Sequence, residues 1–492
     1  MKSYLSIAAM HRVVLLLLVM TAGAPALIGT AQARSLPRVM PVVACGALVN
    51  KVVSADGAPA RIVTATIQQN GTAAFCQIKG YVAPQVNFEL RLPVDKWHQR
   101  LLFAGCGGFC GEVTIRAPAA HGCLPLTNGE LALVGSDLGH SADLMDGVWA
   151  SGNPQGVRDF GNRGVHVVTL AARAIIQLYY GQGPKFAYFS GCSDGGREGL
   201  MEAQRHPEDF DGIIAGAPVV NQTANNSIYH AWLVQHLIDE RSAPRYDDAT
   251  LELVHAEILR QCGSPGPAKM VVDPARCKPR LARVICRSQQ KSLCLSKDGL
   301  ADILAVYRGP SGTDGRPLYF GAPVGSEYSW NQQAKVSELF GRNFITYMTG
   351  EPFTSPVDVR SVGFDPASIS RFYHFADELN AVDGDLSGFA SRGGKVLLWH
   401  GWADASVPSS STLDYVSSVR AAMGGEAADR MLRLYMLPGV GHCGGGRGPS
   451  IMDLLTPLMA WVEDAVVPDA IDIRAAPGTG QVGARVAPHA VR

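Results

Sequence analysis

Three short segments bordered by small residues carry side chains able to perform acyl transfer. Gly191-Cys192-Ser193-Asp194-Gly195-Gly196 sets a serine in a Gly-x-Ser-x-Gly pattern, after the apolar run 186–189 and before the helical stretch 196–205. A serine on so sharp a strand-to-helix corner projects its Oγ, and the backbone N–H that follows can face a developing oxyanion. His400-Gly401-Trp402-Ala403-Asp404 follows the apolar run 395–399. An aspartate there can accept an imidazole Nδ1–H and so select the tautomer of a catalytic base. Gly439-Val440-Gly441-His442-Cys443 follows the run 432–436 and offers that base. The Gly-x-Ser-x-Gly pattern has little weight alone in a chain with 54 glycines. The strand before it and the helix after it make Ser193 a candidate nucleophile rather than a structural turn.

Each candidate has a rival. Asp404 could cap the helix that follows it, and Asp383 and Asp385 are other acids in the region, but neither has a strand before it. Of thirteen histidines, His442 alone combines a late position with a glycine-rich loop at a strand end. His400 reads as a packed residue. His140, in Ser136-Asp137-Leu138-Gly139-His140, is expected near the same face but precedes the serine. The order Ser193, Asp404, His442 is that of α/β-hydrolases. Cys192 and Cys443 flank the proposed nucleophile and base. If Ser193 Oγ bonds to His442, their neighbours, about 3.8 Å along each chain, can meet the disulfide window of about 4.4–6.8 Å between Cα atoms. Such a bond would clamp the two loops together.

The elements that must position these groups alternate. Residues 40–95, rich in Val, Ile and Thr, predict an antiparallel start. Strands are expected at 100–104, 131–135, 186–189, 213–217, 395–399 and 431–436, and helices at 161–180, 196–205 and 409–423. A glycine loop, 105–111, follows the first of these strands. Strand and helix in alternation predict a parallel sheet. The fold class is α/β: an α/β-hydrolase core in two parts, 34–220 and 391–466, interrupted by an inserted lid domain at 221–390. Residues 467–492, rich in Ala, Gly, Pro and Val, are expected to be a loose tail.

Composition narrows the function classes. Lys+Arg and Asp+Glu both number 43, which gives no basic excess for nucleic-acid binding. At 47% hydrophobic and 17% charged residues the chain is not disordered by default. Lys2, His11 and Arg12 precede the run 13–20, and Ala31-Gln32-Ala33 ends the stretch, so residues 1–33 read as a secretory signal. The expected location is therefore secreted or periplasmic, with no membrane contact after cleavage. There the eleven cysteines are disulfide candidates, and their odd number leaves at least one unpaired.

Taken together, the Gly-Cys-Ser-x-Gly-Gly corner, the His-Gly-Trp-Ala-Asp segment and the Gly-His-Cys segment resemble the tannase/feruloyl esterase family, which includes hydrolases of aromatic diester fragments. The resemblance covers about residues 40–465. It implies the triad Ser193, Asp404 and His442, a Cys192–Cys443 bond, and an oxyanion hole built from the N–H of Asp194 and one from Gly107 or Gly108. Many members carry an aspartate-rich calcium loop between two cysteines, which here match Cys262 and Cys277. Only Asp273 is acidic between them, so no calcium and no other cofactor is expected. Cys262–Cys277, Cys286–Cys294 and Cys45–Cys76 are the further pairings this comparison suggests, while Cys106, Cys110 and Cys123 leave one pair and one free thiol. The aromatic residues of 221–390, among them Tyr229, Trp330 and Phe340, are core or substrate slot, and Arg342, Arg360 and Arg371 are candidates to bind a substrate carboxylate. The expected activity is hydrolysis of small aromatic or phenolic acid esters. The alternatives are an aliphatic or polymeric ester hydrolase, or a binding protein on the same scaffold.

Overall fold

The computed structural model describes residues 34–71, 73–265, 269–287 and 293–491. The expected secretory signal, 1–33, lies outside the described residues. The chain opens with four antiparallel strands, β1 (Val52–Ala55), β2 (Ala58–Asn70), β3 (Ala73–Val82) and β4 (Val86–Pro93). β5 (Arg100–Ala104), β6 (Leu131–Ser136), helix α1 (Gly164–Tyr180), β7 (Phe186–Cys192), α2 (Asp194–Arg205) and β8 (Gly212–Gly216) follow. Between β8 and β9 the chain forms α3 (His230–Leu237), α4 (Asp248–Cys262), α5 (Lys297–Arg308) and α6 (Trp330–Asn343) with shorter turns. It returns to the sheet as β9 (Lys395–Gly401), α7 (Ser409–Met423) and β10 (Leu432–Leu437), and ends with β11 (Ile451–Met452), α8 (Leu455–Asp464), β12 (Ile471–Arg474) and β13 (Ala484–Val486).

The large sheet runs β1-β2-β3-β4-β6-β5-β7-β8-β9-β10. It is antiparallel as far as the β4–β6 pair and parallel from β6 to β10. The parallel strands are buried on both faces, which is why they read as continuous apolar runs. Alternation sorts their side chains. Leu101, Phe103, Ile213, Val396 and Leu398 join the core beneath α1. Leu102, Ile214, Leu397 and Trp399 join the opposite core, with Leu458 of α8. The helices between β8 and β9 carry a core of their own, including Tyr229, Leu233, Ile258, Ile303 and Trp330.

Three expectations change. Helix α1 begins at Gly164 because 159–163 form a wider turn, pinned by an Asp159–Arg163 ion pair of 2.6 Å. β7 runs on to Cys192, since Gly191 and Cys192 pair with Ala215 and Gly216 of β8. The tail is not uniformly loose. β12 pairs antiparallel with both β11 and β13, and Ile471 and Ile473 are buried while Asp472 and Arg474 face outward. That two-residue alternation is a strand signal which the surrounding Gly and Pro hide.

Disulfides join Cys45–Cys76, Cys106–Cys110, Cys192–Cys443, Cys262–Cys277 and Cys286–Cys294. The choice left open thus resolves to Cys106–Cys110, with Cys123 free and buried. Burial pushes the Cys123 thiol up to about 11, so it stays protonated and unreactive at neutral pH.

Candidate active site

Ser193 sits where β7 turns into α2, with φ 63° and ψ −120°. A side chain other than glycine is strained in that left-handed region, and such strain persists only where the surroundings impose it. The neighbours show why they must be small. A Cβ on Gly191 would lie 2.4 Å from the Gly195 carbonyl oxygen, and one on Gly195 would lie 2.5 Å from that of Cys106. The corner therefore forms only with hydrogen at both positions, and the first backbone of α2 is pressed against the glycine loop after β5.

The other two candidates arrive from β9 and β10. His442 Nε2 lies 2.8 Å from Ser193 Oγ, and its Nδ1 lies 2.7 Å from Asp404 Oδ2. Asp404 is fully buried. Its Oδ1 accepts the backbone N–H groups of Ser406 (2.8 Å) and Val407 (3.0 Å), and His400 Nε2 is 3.0 Å from its Oδ2. Burial alone would raise its pKa. The charge of His442 and the hydrogen bonds from His400 and His442 prevail and hold the carboxyl well below the usual range. Burial likewise opposes a charged His442, but Asp404 prevails and raises the imidazole above its ordinary value. His400 is packed, as expected, and also braces Asp404. Asp383 and Asp385 only cap local turns, accepting the N–H groups of Asp385 and Ser387. Cys192 and Cys443 are bonded, with Cα atoms 5.9 Å apart across 251 residues of chain.

The glycine loop is strapped on several sides. The Cys106–Cys110 bond brackets Gly107 and Gly108. The Phe109 carbonyl lies 2.8 Å from His140 Nε2, and the Phe109 N–H donates to Leu144 O at 2.7 Å. His140 stacks on Trp149 at 3.7 Å, and burial holds its pKa down to about 4, so it is a neutral donor. The Cys106 N–H donates to Glu198 Oε1 at 3.3 Å. Burial, and then neighbouring Asp194, push the Glu198 carboxyl well above its ordinary range. The Asp194 side chain is tied to Arg197 at 2.6 Å and to Gln222 at 3.1 Å. Gly107, Gly108, Ser193, Asp194 and His442 all line one cleft of about 420 Å³. Its geometry suits addition of a hydroxyl to a carbonyl, with a base at the hydroxyl and backbone N–H groups nearby.

Residues 69–488 match the family described as tannase and feruloyl esterase. The chain belongs to that family. It is 30% identical to the mono(2-hydroxyethyl) terephthalate hydrolase of Piscinibacter sakaiensis, over 88% of this chain and 83% of that one. It is also 30% identical to the probable feruloyl esterase B-1 of Aspergillus fumigatus, over 81% of this chain and 78% of that one. The crystal structure of feruloyl esterase B from Aspergillus oryzae is similar with a TM-score of 0.77 and 25% identity, covering 87% of this chain and 92% of that one. This member of the family is a carboxylic ester hydrolase with an α/β-hydrolase fold.

The family's calcium loop fits poorly here. Between Cys262 and Cys277 the one carboxylate, Asp273, is paired with Arg276 at 3.1 Å and accepts the Ala275 N–H. Calcium wants six to eight oxygens, several of them carboxylate. Of the aromatic residues singled out in 221–390, Phe340 lines the cleft, whereas Tyr229 and Trp330 belong to the separate core. None of the three candidate arginines reaches the cleft. Arg342 pairs with Glu338, Arg360 with Asp358 and Arg371 with Glu351. Sequence reasoning missed the polar lining, Gln222, Asn225, Asn226, His230 and Gln333. Its one local signal was the polar run 221–227 directly after an apolar strand. The stripe Gln333, Val336 and Phe340 has helical spacing, but nothing local says which way it faces.

Proposed function

We propose that this protein is an exported serine carboxylesterase that hydrolyses esters of aromatic or phenolic acids. The observation that carries the reading is the continuous chain Asp404–His442–Ser193 opening into a cleft, with 2.7 and 2.8 Å links. Ser193 Oγ attacks the ester carbonyl as His442 Nε2 takes its proton. The N–H of Asp194 and that of Gly107 or Gly108 hold the tetrahedral oxyanion. Collapse expels the alcohol, which receives the proton from His442, and leaves an acyl-enzyme. Water then adds by the same route, releasing the acid and restoring Ser193. Asp404 orients the imidazole and offsets its charge. No cofactor takes part. Residues 221–390 act as a lid that supplies part of the cleft wall through Gln333, Val336 and Phe340. The aromatic acyl preference is supported by the apolar cleft walls and by relatives named for terephthalate and feruloyl esters. Five disulfides support an oxidising destination.

The test is a panel of feruloyl, galloyl and butyryl esters assayed with wild type and Ser193→Ala. Aromatic esters should be turned over fastest, and the variant should lose essentially all turnover. Undiminished hydrolysis by the variant would end the mechanism, and a dominant butyryl rate would replace the aromatic preference with an aliphatic one.

A further inference from the structure

The cleft around Ser193 is built without a cation. Among the described residues lining it, none is Lys or Arg. Apart from His442 and from Asp194, whose carboxyl is matched by buried Arg197 at 2.6 Å, its polar lining comes from neutral groups: the amides Gln222, Asn225, Asn226 and Gln333 and the hydroxyls of Ser193 and Ser406. His230 adds an imidazole whose Nδ1 is 2.8 Å from Ser337 Oγ. Burial, and then the proximity of His442, hold its pKa down to about 3, so it too is uncharged at neutral pH. The remaining walls are Leu144, Met145, Val219, Val336, Phe340 and Val407. The one basic group that gains charge during the reaction, His442, is already matched by Asp404 at 2.7 Å. The nearest cations on α6 do not serve. Lys335 is exposed and off the stripe that faces the cleft, and Arg342 is committed to Glu338 at 3.0 Å. The adjoining pocket beyond Gly107, Leu144 and Cys192 carries Arg91, committed to Glu89 at 2.7 Å, and Arg116, which is exposed to solvent and lines that pocket rather than this cleft.

An ester group seated here loses water on several sides. A neutral ring substituent loses little and can exchange hydrogen bonds with the amides. A carboxylate would be desolvated with no cation among the residues lining this cleft, and that is costly. We infer that the acyl group accepted by this cleft is uncharged, an aromatic acid bearing hydroxyl or other neutral polar substituents, and that esters whose acyl group carries a second, free carboxylate are rejected. This rests on the esterase reading above and sharpens it. It also sets this chain apart from its terephthalate-monoester-hydrolysing relative, since a terephthalate monoester bears such a carboxylate.

The decisive comparison uses two esters of the same alcohol and nearly the same shape, mono(2-hydroxyethyl) terephthalate and 2-hydroxyethyl 4-carbamoylbenzoate, which differ only in carboxylate against carboxamide. At pH 7.5 the carboxamide is expected to exceed the carboxylate in kcat/KM by on the order of 100-fold. Gln333→Arg places a guanidinium on the cleft face and should shrink that ratio by about 10-fold or more. Arg342→Gln, off the cleft, should leave the ratio as it is. Equal rates for the two esters, a ratio unmoved by Gln333→Arg, or loss of carboxylate hydrolysis in Arg342→Gln would each overturn the inference while the esterase reading stands. Absence of any Ser193-dependent hydrolysis of either ester would overturn both.

Discussion

Of the several histidine–carboxylate pairs among the described residues, one stands in the cleft and one of equal length stands in the region between β8 and β9. His442 Nδ1 is 2.7 Å from Asp404, and His255 Nδ1 is 2.7 Å from Glu327. Both carboxylates are fully buried and take further donors. Glu327 accepts from Tyr307 Oη at 2.5 Å and from the Gly325 N–H at 2.6 Å. The difference lies at the second ring nitrogen. His442 Nε2 meets Ser193, and its side chain is 27% exposed. His255 Nε2 is buried with no partner. A histidine held by a carboxylate is thus a common way to satisfy buried polar groups. It becomes chemistry only when a strained corner brings a nucleophile to the free nitrogen and a cleft brings substrate.

His442→Ala should lower kcat/KM by about 10⁴-fold or more. His255→Ala should leave kcat/KM intact but cost about 3 kcal/mol in a denaturant titration, because it strands Glu327. Asp404→Asn should lower kcat by about 10³- to 10⁴-fold through the wrong imidazole tautomer. It also tests the pH response. As the proposed base His442 works only when neutral, and Asp404 raises its pKa. Wild-type kcat/KM should therefore climb as pH rises through an inflection above about 6.5 and vanish below it. In Asp404→Asn that inflection should move downward.

Two smaller effects sharpen the same contrast. Cys443→Ser opens a link spanning 251 residues, and the chain-entropy estimate for its loss is about 5 kcal/mol, against about 3 kcal/mol for Cys262–Cys277 with its separation of 15. Only the first should also lower turnover, since it alone ties the proposed nucleophile to the proposed base. His140→Gln should reduce kcat by about 10-fold or less with KM unchanged, because it loosens the Phe109 carbonyl and hence the loop carrying Gly107 and Gly108.

Much of the site is legible in the chain because its parts are local. A strained serine corner requires glycine neighbours, and a base and its orienting acid emerge from strand ends, so each leaves a short pattern around Ser193, Asp404 and His442. Cys192 and Cys443 can be matched because they border those patterns. What is not local does not show. Cys106, Cys110 and Cys123 are equivalent until the loop's path is known. The lining amides come from the turn after β8 and from α6, more than a hundred residues apart, and no spacing rule joins Asn225 to Gln333. Glu198 supports the glycine loop through packing that its sequence neighbourhood does not announce, and His140, expected near that face, braces the loop through the Phe109 carbonyl. Strand β12 is too short for Ile471 and Ile473 to outweigh the glycines around it.

The bond between Cys192 and Cys443 turns everything from Ser193 to His442 into a closed ring. A protease that cuts once within that ring, for instance at an exposed turn of the region between β8 and β9, yields two chains that remain covalently joined beside the reacting groups. Such a nicked molecule would run as one species without reductant and as two with it. Damage from neighbouring peptidases would then erode the substrate wall before it separated the machinery that cuts the ester.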